Sequence, residues 1–598
     1  MIVLTNLFAK VQCPSVMQLG DWKDVGTSLI QDQPPLLLKS TIKCNYGGVD
    51  ITITDCGQKC EPEEIDVVGA PVPPPLSSKK FLVHFRRPSN YKGEFGFDWL
   101  RDEYIYPITS VNGINKELSL DIPKLKTEYK TTDVTNPISP YQKDYYSSFL
   151  NIMLNQEVTL DIEVEELEAL SLPDATEIIF ESSNPKLTIT PARIPLSTLI
   201  AGTKLGGTTT REYYSAVNQV KVKCDGQAFT KNEQIKVFAK LVDNGVESKK
   251  EVGKMMVMKN SDQAKYTINV YVIKAFMSDN PLYSESVIDT EFAKIGGLAG
   301  LEKYLNENSL NQGLIQVKLI DKKNLKTLKI DLSTSTFNLA NKGFNTMNSK
   351  PDKEYEDLKG IITNPSPTKF EVDSGKSVDL FNKQSNKLYG FDKENCILLY
   401  LCPLTTKDAG GSSYTYPLNN KHCIIFGKNL YDSQSYAHEI AHTLGLEHTF
   451  LDKDSSCNLI SLTDEKNKIN QETNDFKRKV EEVKRKVDAE WLKYKQENNA
   501  YFTQYPSKIP EYKKPYDDNK VSLDKQFRDY EKKQNERLSI VNNNNIRFIR
   551  AFTENIMDYW SDDTNCDGSR DVTGITKKIS FNKYQWKIIQ NEAKTYYH

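Results

Sequence analysis

The sequence predicts a multidomain chain in which β-rich modules at the front are followed by an α/β domain that is interrupted by a helical hairpin. A chain of 598 residues is too long for a single hydrophobic core. Apolar residues alternate with period two through much of the first half, whereas from Tyr266 onward strand-like runs alternate with runs of helical period. Between about 465 and 545, Phe476, Val480, Val483, Val487, Trp491 and Tyr494 step by threes and fours, and so do Leu523, Phe527, Tyr530, Leu538 and Val541. Pro506, Pro510 and Pro515 stand between these two runs as chain breakers, which gives an antiparallel helical hairpin.

Composition narrows the function classes. With 78 basic and 80 acidic residues the formal net charge is -2, so no nucleic-acid or membrane-surface partner is expected from bulk electrostatics. No apolar run reaches the roughly twenty residues of a membrane span. Residues 1–11 lack the basic start and full apolar core of a Sec signal. Ten cysteines in so long a chain do not make a disulfide scaffold, and Cys396, Cys402 and Cys423 sit in apolar runs that suit buried thiols.

Taken in order, residues 34–58 read as two short strands joined through Gly47-Gly48, a hairpin signal. Their Leu-Leu-x-Ser-Thr-x-x-Cys-x-Tyr-Gly-Gly run, followed by alternating Ile and Thr and then Gly57-Gln58, resembles the closing segment of PAAR-like proteins. Those proteins cap the spike of contractile injection machines such as type VI secretion systems. The resemblance starts late in the family's pattern, so residues 1–62 correspond to a C-terminal portion of such a domain. It implies spike proteins as partners of this region. It also implies a chain made in the bacterial cytoplasm and then secreted or injected by a contractile system. Cys44, Cys56 and Cys60 are either a small metal or disulfide cluster or reduced structural thiols. Residues 63–79, with Pro71, Pro73, Pro74 and Pro75, have the composition of a semi-rigid linker.

Residues 80–155 are expected to form a β-rich module. Phe81–Phe85 alternates like a strand, and Phe95, Phe97 and Trp99 read as core or interface packing. From 156 to 260, Val158, Leu160, Ile162 and Val164 share one face, as do Val220, Val222 and Cys224, and Ile235, Val237, Ala239 and Leu241. Short strands set off by Gly, Pro, Asn and Asp clusters suggest an antiparallel sandwich of immunoglobulin-like type, read here as a spacer or docking module. Residues 262–598 are the α/β domain. Ile268, Val270 and Val272 make a strand, Ile288 to Leu305 recur at helical spacing, and strands follow at Leu314–Ile320, Cys396–Cys402 and His422–Phe426.

The chemistry lies directly after that last strand, in His438-Glu439-Ile440-Ala441-His442-Thr443-Leu444-Gly445-Leu446-Glu447-His448. Histidines four apart on a helix project from one face and can grip one ion. Gly445 can take the positive φ that reverses the chain and brings His448 round as a third ligand. Three nitrogens leave a fourth tetrahedral position open, the mark of a catalytic zinc. Glu439 is placed to act as general base on a water activated by that zinc. Of six histidines only these three cluster; His84, His422 and His598 read as ordinary core or surface residues.

Downstream, Thr553-Glu554-Asn555-Ile556-Met557-Asp558-Tyr559 resembles the Met-turn of metzincin metallopeptidases, with Met557 in the place of the methionine below the imidazoles. Tyr559 matches a tyrosine that some metzincins use as an extra ligand or to stabilise the oxyanion and that others carry without ligation. His448-Thr449-Phe450, Cys457, Asn555–Tyr559, Asp562-Asp563, Cys566 and Phe581-x-x-x-Gln585 narrow the resemblance to the pappalysin group. That group implies a disulfide between Cys457 and Cys566, hence an oxidising setting, and makes Asp562 and Asp563 candidate calcium ligands. The hairpin near 465–545 departs from the group. It is either a recognition element for substrate, target or an immunity protein, or a tolerated insertion.

The expected activity is therefore zinc-dependent endopeptidase cleavage of a protein or peptide, by an effector or toxin delivered by a contractile system. A strand near 422–428 is expected to pair with extended substrate. A peptidoglycan cross-link hydrolase and a catalytically inactive adaptor of the injection apparatus are the alternatives.

Overall fold

The computed structural model describes residues 19–25, 40–44, 50–52, 80–130, 144–167, 176–243, 246–333, 362–366, 369–391, 394–406, 409–415, 422–567 and 569–597. The chain divides into two compact units, Met1–Ser77 and Ser78–His598. In the first, β1 (Leu19–Lys23), β2 (Thr41–Cys44) and β3 (Asp50–Thr52) form an antiparallel sheet in that order. The expected hairpin is the β2–β3 pair, with Ile42 opposite Ile51. The added strand β1 has no apolar alternation, so its sequence gives no strand signal. Gly47-Gly48, Cys56, Cys60 and the Pro-rich stretch 63–79 lie outside the described residues.

Besides a small hairpin of Thr109–Val111 and Ile114–Lys116, the second unit begins, among the described residues, with ten strands of two larger sheets. They are β4 (Phe81–Arg86), β5 (Gly96–Asp98), β6 (Ser148–Asn151), β7 (Glu157–Glu166), β8 (Glu177–Ser182), β9 (Leu187–Thr190), β10 (Arg193–Pro195), β11 (Tyr213–Cys224), β12 (Glu233–Asp243) and β13 (Val246–Val257). They build two sheets, ordered β10-β8-β12-β13-β6-β5 and β9-β11-β7-β4. The alternating faces of β7 (Val158, Leu160, Ile162, Val164) and β12 (Ile235, Val237, Ala239) meet in one core. The expected boundary at 155/156 does not exist in the pairing, because β4 pairs with β7 and β6 with β13. Strands of three to six residues cannot close a sheet among themselves, so 80–155 and 156–260 complete each other. The β6–β13 pair is parallel, a departure from the all-antiparallel expectation.

Nor is the sandwich a detached spacer. Between β5 and β6 the chain leaves it, and Leu100, Tyr104, Leu118 and the helix α1 (Ile122–Tyr129) enter the core of the C-terminal lobe. A buried polar knot fixes this crossing. Arg101 bonds Asp98 Oδ1 (3.0 Å) and Glu554 Oε1 (2.7 Å), while Asp98 Oδ2 accepts from Tyr129 Oη (2.8 Å) and Lys583 N (2.7 Å).

The lobe is built on β14 (Thr267–Phe276), β15 (Gln316–Ile320), β16 (Lys329–Asp331), β17 (Ile397–Cys402), β18 (Gly411–Ser413) and β19 (His422–Phe426). The sheet order is β15-β14-β17-β19-β18, with β16 also on β14. All pairs are parallel except β18–β19. The unbroken apolar run of β17 is explained by its position. Ile397, Leu399 and Leu401 face one core, and Leu398, Tyr400 and Cys402 face another. Helix α4 (Ser374–Tyr389) covers the second face through Val378 and Phe381. The first face is covered by α5 (Ser433–Thr443), which carries the histidine motif, through Tyr436, Ala437, Ile440 and Ala441. The helical run at 288–305 is two helices, α2 (Glu285–Ala293) and α3 (Gly297–Glu307), parted at Gly296 with φ 82°. Cys396, Cys402 and Cys423 are buried free thiols.

The hairpin consists of α6 (Leu462–Glu497) and α7 (Ile509–Asn543). Its arms run antiparallel, with Phe476 stacked on Tyr530, Trp491 against Tyr516, and Arg537 paired with Glu472. Pro506 and Pro510 lie at or just before the first turn of α7, where a missing N–H costs nothing, but Pro515 is accommodated inside the helix and breaks nothing. The C-terminal helix α8 (Lys583–Tyr596) sends Trp586, Ile589 and Ala593 into the same core as α5.

Candidate metal centre

Helix α5 starts at Asp432, whose carboxylate accepts from Gln434 N and from Ser435 Oγ. From Tyr436 to Thr443 every residue is buried. The helix ends as the sequence predicts: Gly445 has φ 80°, its N–H donates to His442 O, and Leu446 N donates to Ala441 O. This paired closure is a Schellman motif, and it turns the chain so that His448 faces His438 and His442. Ligand atoms of the three rings all lie within 4.8 Å of one another, the only such group among the described residues.

The hydrogen bonds around the rings test whether a cation fits. His438 Nδ1 donates to Ile556 O (2.8 Å) and His442 Nδ1 donates to Leu446 O (2.7 Å). A carbonyl can only accept, so both protons sit on Nδ1 and both Nε2 atoms carry bare lone pairs. Those two Nε2 atoms are 3.1 Å apart. Burial, and then the neighbouring His448, push His438 down to about 3; burial pushes His442 well below its ordinary value. No proton is therefore available to bridge them. His448 Nε2 is also buried without a hydrogen-bond partner, and its Nδ1 stands 3.8 Å from Asp452 Oδ1. Two inward lone pairs, with the unpartnered Nε2 of His448 beside them, are matched by a divalent ion such as zinc.

The segment around Met557 supplies part of this order. Asp558 accepts from Ala551 N, Thr553 N and Thr553 Oγ1, and Asn555 Oδ1 accepts from Met557 N. The resulting turn buries Met557 fully, receives Thr449 N on Met557 O, and aims Ile556 O at His438. The ring of Tyr559 lies 4.7 Å from that of His448 and 5.6 Å from that of His438, with 36% of the residue exposed. Burial and then the Glu439 carboxylate raise its phenol above the ordinary range, so it keeps its proton. Cys457 and Cys566 are joined by a disulfide. Asp562 is held by Lys453 Nζ (3.0 and 3.1 Å) and faces Arg550. Of the two carboxylates to which the resemblance gave calcium, that of Asp562 is thus already paired with cations of the chain.

Glu439 is 8% exposed, and burial pushes its carboxyl up to about 7 against the pull of one hydrogen bond. That bond comes from Ser413 Oγ to Oε2 (2.7 Å), on β18. The sequence reading missed Ser413, as it missed Gly411, where an added Cβ would lie 2.5 Å from Glu439 Oε1. The one signal was a Gly-Gly-Ser-Ser run just ahead of the motif. Nor does the sheet fit the expectation that a strand near 422–428 pairs with substrate. β19 (His422–Phe426) is paired on both sides, by β17 and β18, and has no free edge to offer. Among the described residues β18 is the sheet's end strand on this side.

A cleft of about 540 Å³ opens from His442 and His448, between Ser413 and Tyr414 on one wall and Ile460, Glu465, Arg537 and Ile540 at the hairpin's foot on the other. The hairpin also reaches the ligand loop. Asn544, just past α7, donates from Nδ2 to Gly445 O (2.9 Å) and accepts on Oδ1 from Glu447 N (3.0 Å). Arg547 pairs with Glu447. Away from this centre, His84 bonds Glu165 Oε2 and His422 is buried, so both are core residues as expected; His598 lies outside the described residues.

Residues 4–58 match a family described as a domain of unknown function, DUF4280; the matched stretch contains the segment at 34–58 and ends far short of every residue of the metal centre. No curated protein matches the chain.

Proposed function

We propose that this protein is a zinc-dependent endopeptidase of the metzincin type, with a pappalysin-like catalytic lobe behind an immunoglobulin-like sandwich. The observation that carries the reading is the set of three inward-facing Nε2 atoms, two of them fixed in tautomer by backbone carbonyls, with a buried carboxylate on the same helix. His438, His442 and His448 would hold the ion, which when bound supplies Lewis acidity to a water and to a substrate carbonyl. Glu439 takes the proton of the attacking water and returns it to the leaving amine. The phenol of Tyr559, protonated and beside the histidine rings, stands ready to donate to the oxyanion. The outer edge of β18, the sheet's end strand among the described residues, is the natural rail for an extended polypeptide, which would lie between it and the hairpin's foot. The PAAR-like features of the front support delivery of this enzyme as an effector by a contractile injection system.

The test is hydrolysis by the zinc-loaded full chain. Wild type should cleave an unfolded protein, and Glu439→Gln should lose at least about a hundredfold in rate while zinc per chain stays at one. Full activity in the variant, or no cleavage by zinc-loaded wild type, would overturn the reading. New amines released from purified peptidoglycan and not from protein would redirect it to cell-wall cross-links.

A further inference from the structure

The strand that would carry substrate is also the strand that touches the general base. Residues 411 and 413 of β18 lie two apart and so face the same side of the sheet, and both meet Glu439. Ser413 Oγ donates to Oε2 at 2.7 Å. At Gly411 the backbone passes so close that a Cβ would stand 2.5 Å from Oε1, 2.6 Å from Cγ and 2.8 Å from Cδ. The carboxylate is thus held by a hydrogen bond on Oε2 and by the Gly411 backbone packed against Oε1 and the stem. Among the described residues no other side chain hydrogen-bonds it. The strand is in turn paired, among the described residues, on its inner side only, by Gly411 opposite Ile425, Ser412 opposite Ile424 and Ser413 opposite Cys423.

We propose that Ser413 is a positioning residue for Glu439, and that β18 couples the seating of a substrate strand to the alignment of the base; this rests on the endopeptidase reading above. With Oε2 tied to the serine hydroxyl and Oε1 against the Gly411 backbone, β18 sets the orientation of the carboxylate that exchanges the proton. A polypeptide added to the outer edge of β18 stiffens the same three residues that orient the carboxylate. Extended peptides that can pair with β18 are therefore turned over faster than short ones that cannot, beyond any difference in binding.

The experiment uses the zinc-loaded full chain and a peptide series of increasing length around one cleaved bond. An oriented hydrogen bond to a charged group is worth roughly 1.5–3 kcal/mol, which corresponds to about a 10- to 100-fold effect on rate. Ser413→Ala should lower kcat by that factor with KM, zinc content and melting temperature unchanged, and Ser413→Thr, which restores the hydroxyl, should recover most of it. In wild type kcat should rise with peptide length, and in Ser413→Ala that rise should flatten. An alanine variant with wild-type kcat, a loss confined to KM, or no recovery in threonine would overturn the inference while leaving an active wild type as support for the endopeptidase. Inactive zinc-loaded wild type would overturn both.

Discussion

Replacing Asn544 by alanine tests whether the hairpin is built into the metal centre or merely tolerated beside it. Asn544 is 1% exposed and follows the last turn of α7. Its side chain makes two bonds to the loop that delivers the third histidine, to Gly445 O at 2.9 Å and from Glu447 N at 3.0 Å. It makes a third to Ile540 O, within its own helix. Only the first two bear on the site. Alanine leaves a buried carbonyl and a part-buried N–H without partners, each costing up to about 1–3 kcal/mol, so the loop loses roughly 2–6 kcal/mol of its hold. Part of that is spent on the fold and part on the metal, and loss of such a supporting contact weakens metal binding by about 10- to 100-fold. Competition of the full-length variant against a chromophoric zinc chelator reads the second part, and a melting curve on the metal-free protein reads the first. Wild-type zinc affinity in Asn544→Ala would refute the claim that the hairpin's end holds His448 in place.

Two further outcomes follow from the polar contacts. Burial raises the Glu554 carboxyl, but Arg101 and Arg87 outweigh it and bring it from 4.5 to about 2. A folded value below the unfolded one means the stability it contributes, on the order of 3 kcal/mol, is present above pH 4.5 and disappears as pH falls toward 2. Denaturant midpoints should therefore drop over that window in wild type and be flatter in Glu554→Gln, which should already be destabilised at pH 7; parallel curves would refute the assignment. Cys457 and Cys566 close a loop with a sequence separation of 109 that contains the whole hairpin. Their double serine variant should lose roughly 2–5 kcal/mol in denaturant unfolding, and wild type under reductant should match it. A variant as stable as oxidised wild type would show that the bond constrains nothing.

The metal motif was legible because its geometry is local. Four residues of α-helix fix the separation of His438 and His442, and one glycine with φ 80° fixes the turn toward His448. The buried strand Ile397–Cys402 was legible because both its faces are apolar, and the hairpin because its stripes repeat over many turns. The pairing of β4 with β7 and of β6 with β13 was not legible: period-two alternation tells that a strand is half buried and says nothing of which strand lies beside it. The same limit hid the pairing of His422–Phe426, which has the sequence of a strand whether its flank is free or covered by β18.

The sequence by itself determined the candidate ligands, their number and the proposed base, because these follow from side-chain chemistry and the short-range rise of a helix. Only the tertiary structure decided what makes them a site. The proton positions on His438, the hydrogen bond on Glu439 and the anchor of the His448 loop come from Ile556, Ser413 and Asn544, which lie 118, 26 and 97–99 residues away along the chain. Such contacts are set by how the sheet, turn and hairpin close on one another, and a carbonyl or a lone serine has no pattern in sequence that announces where it will point.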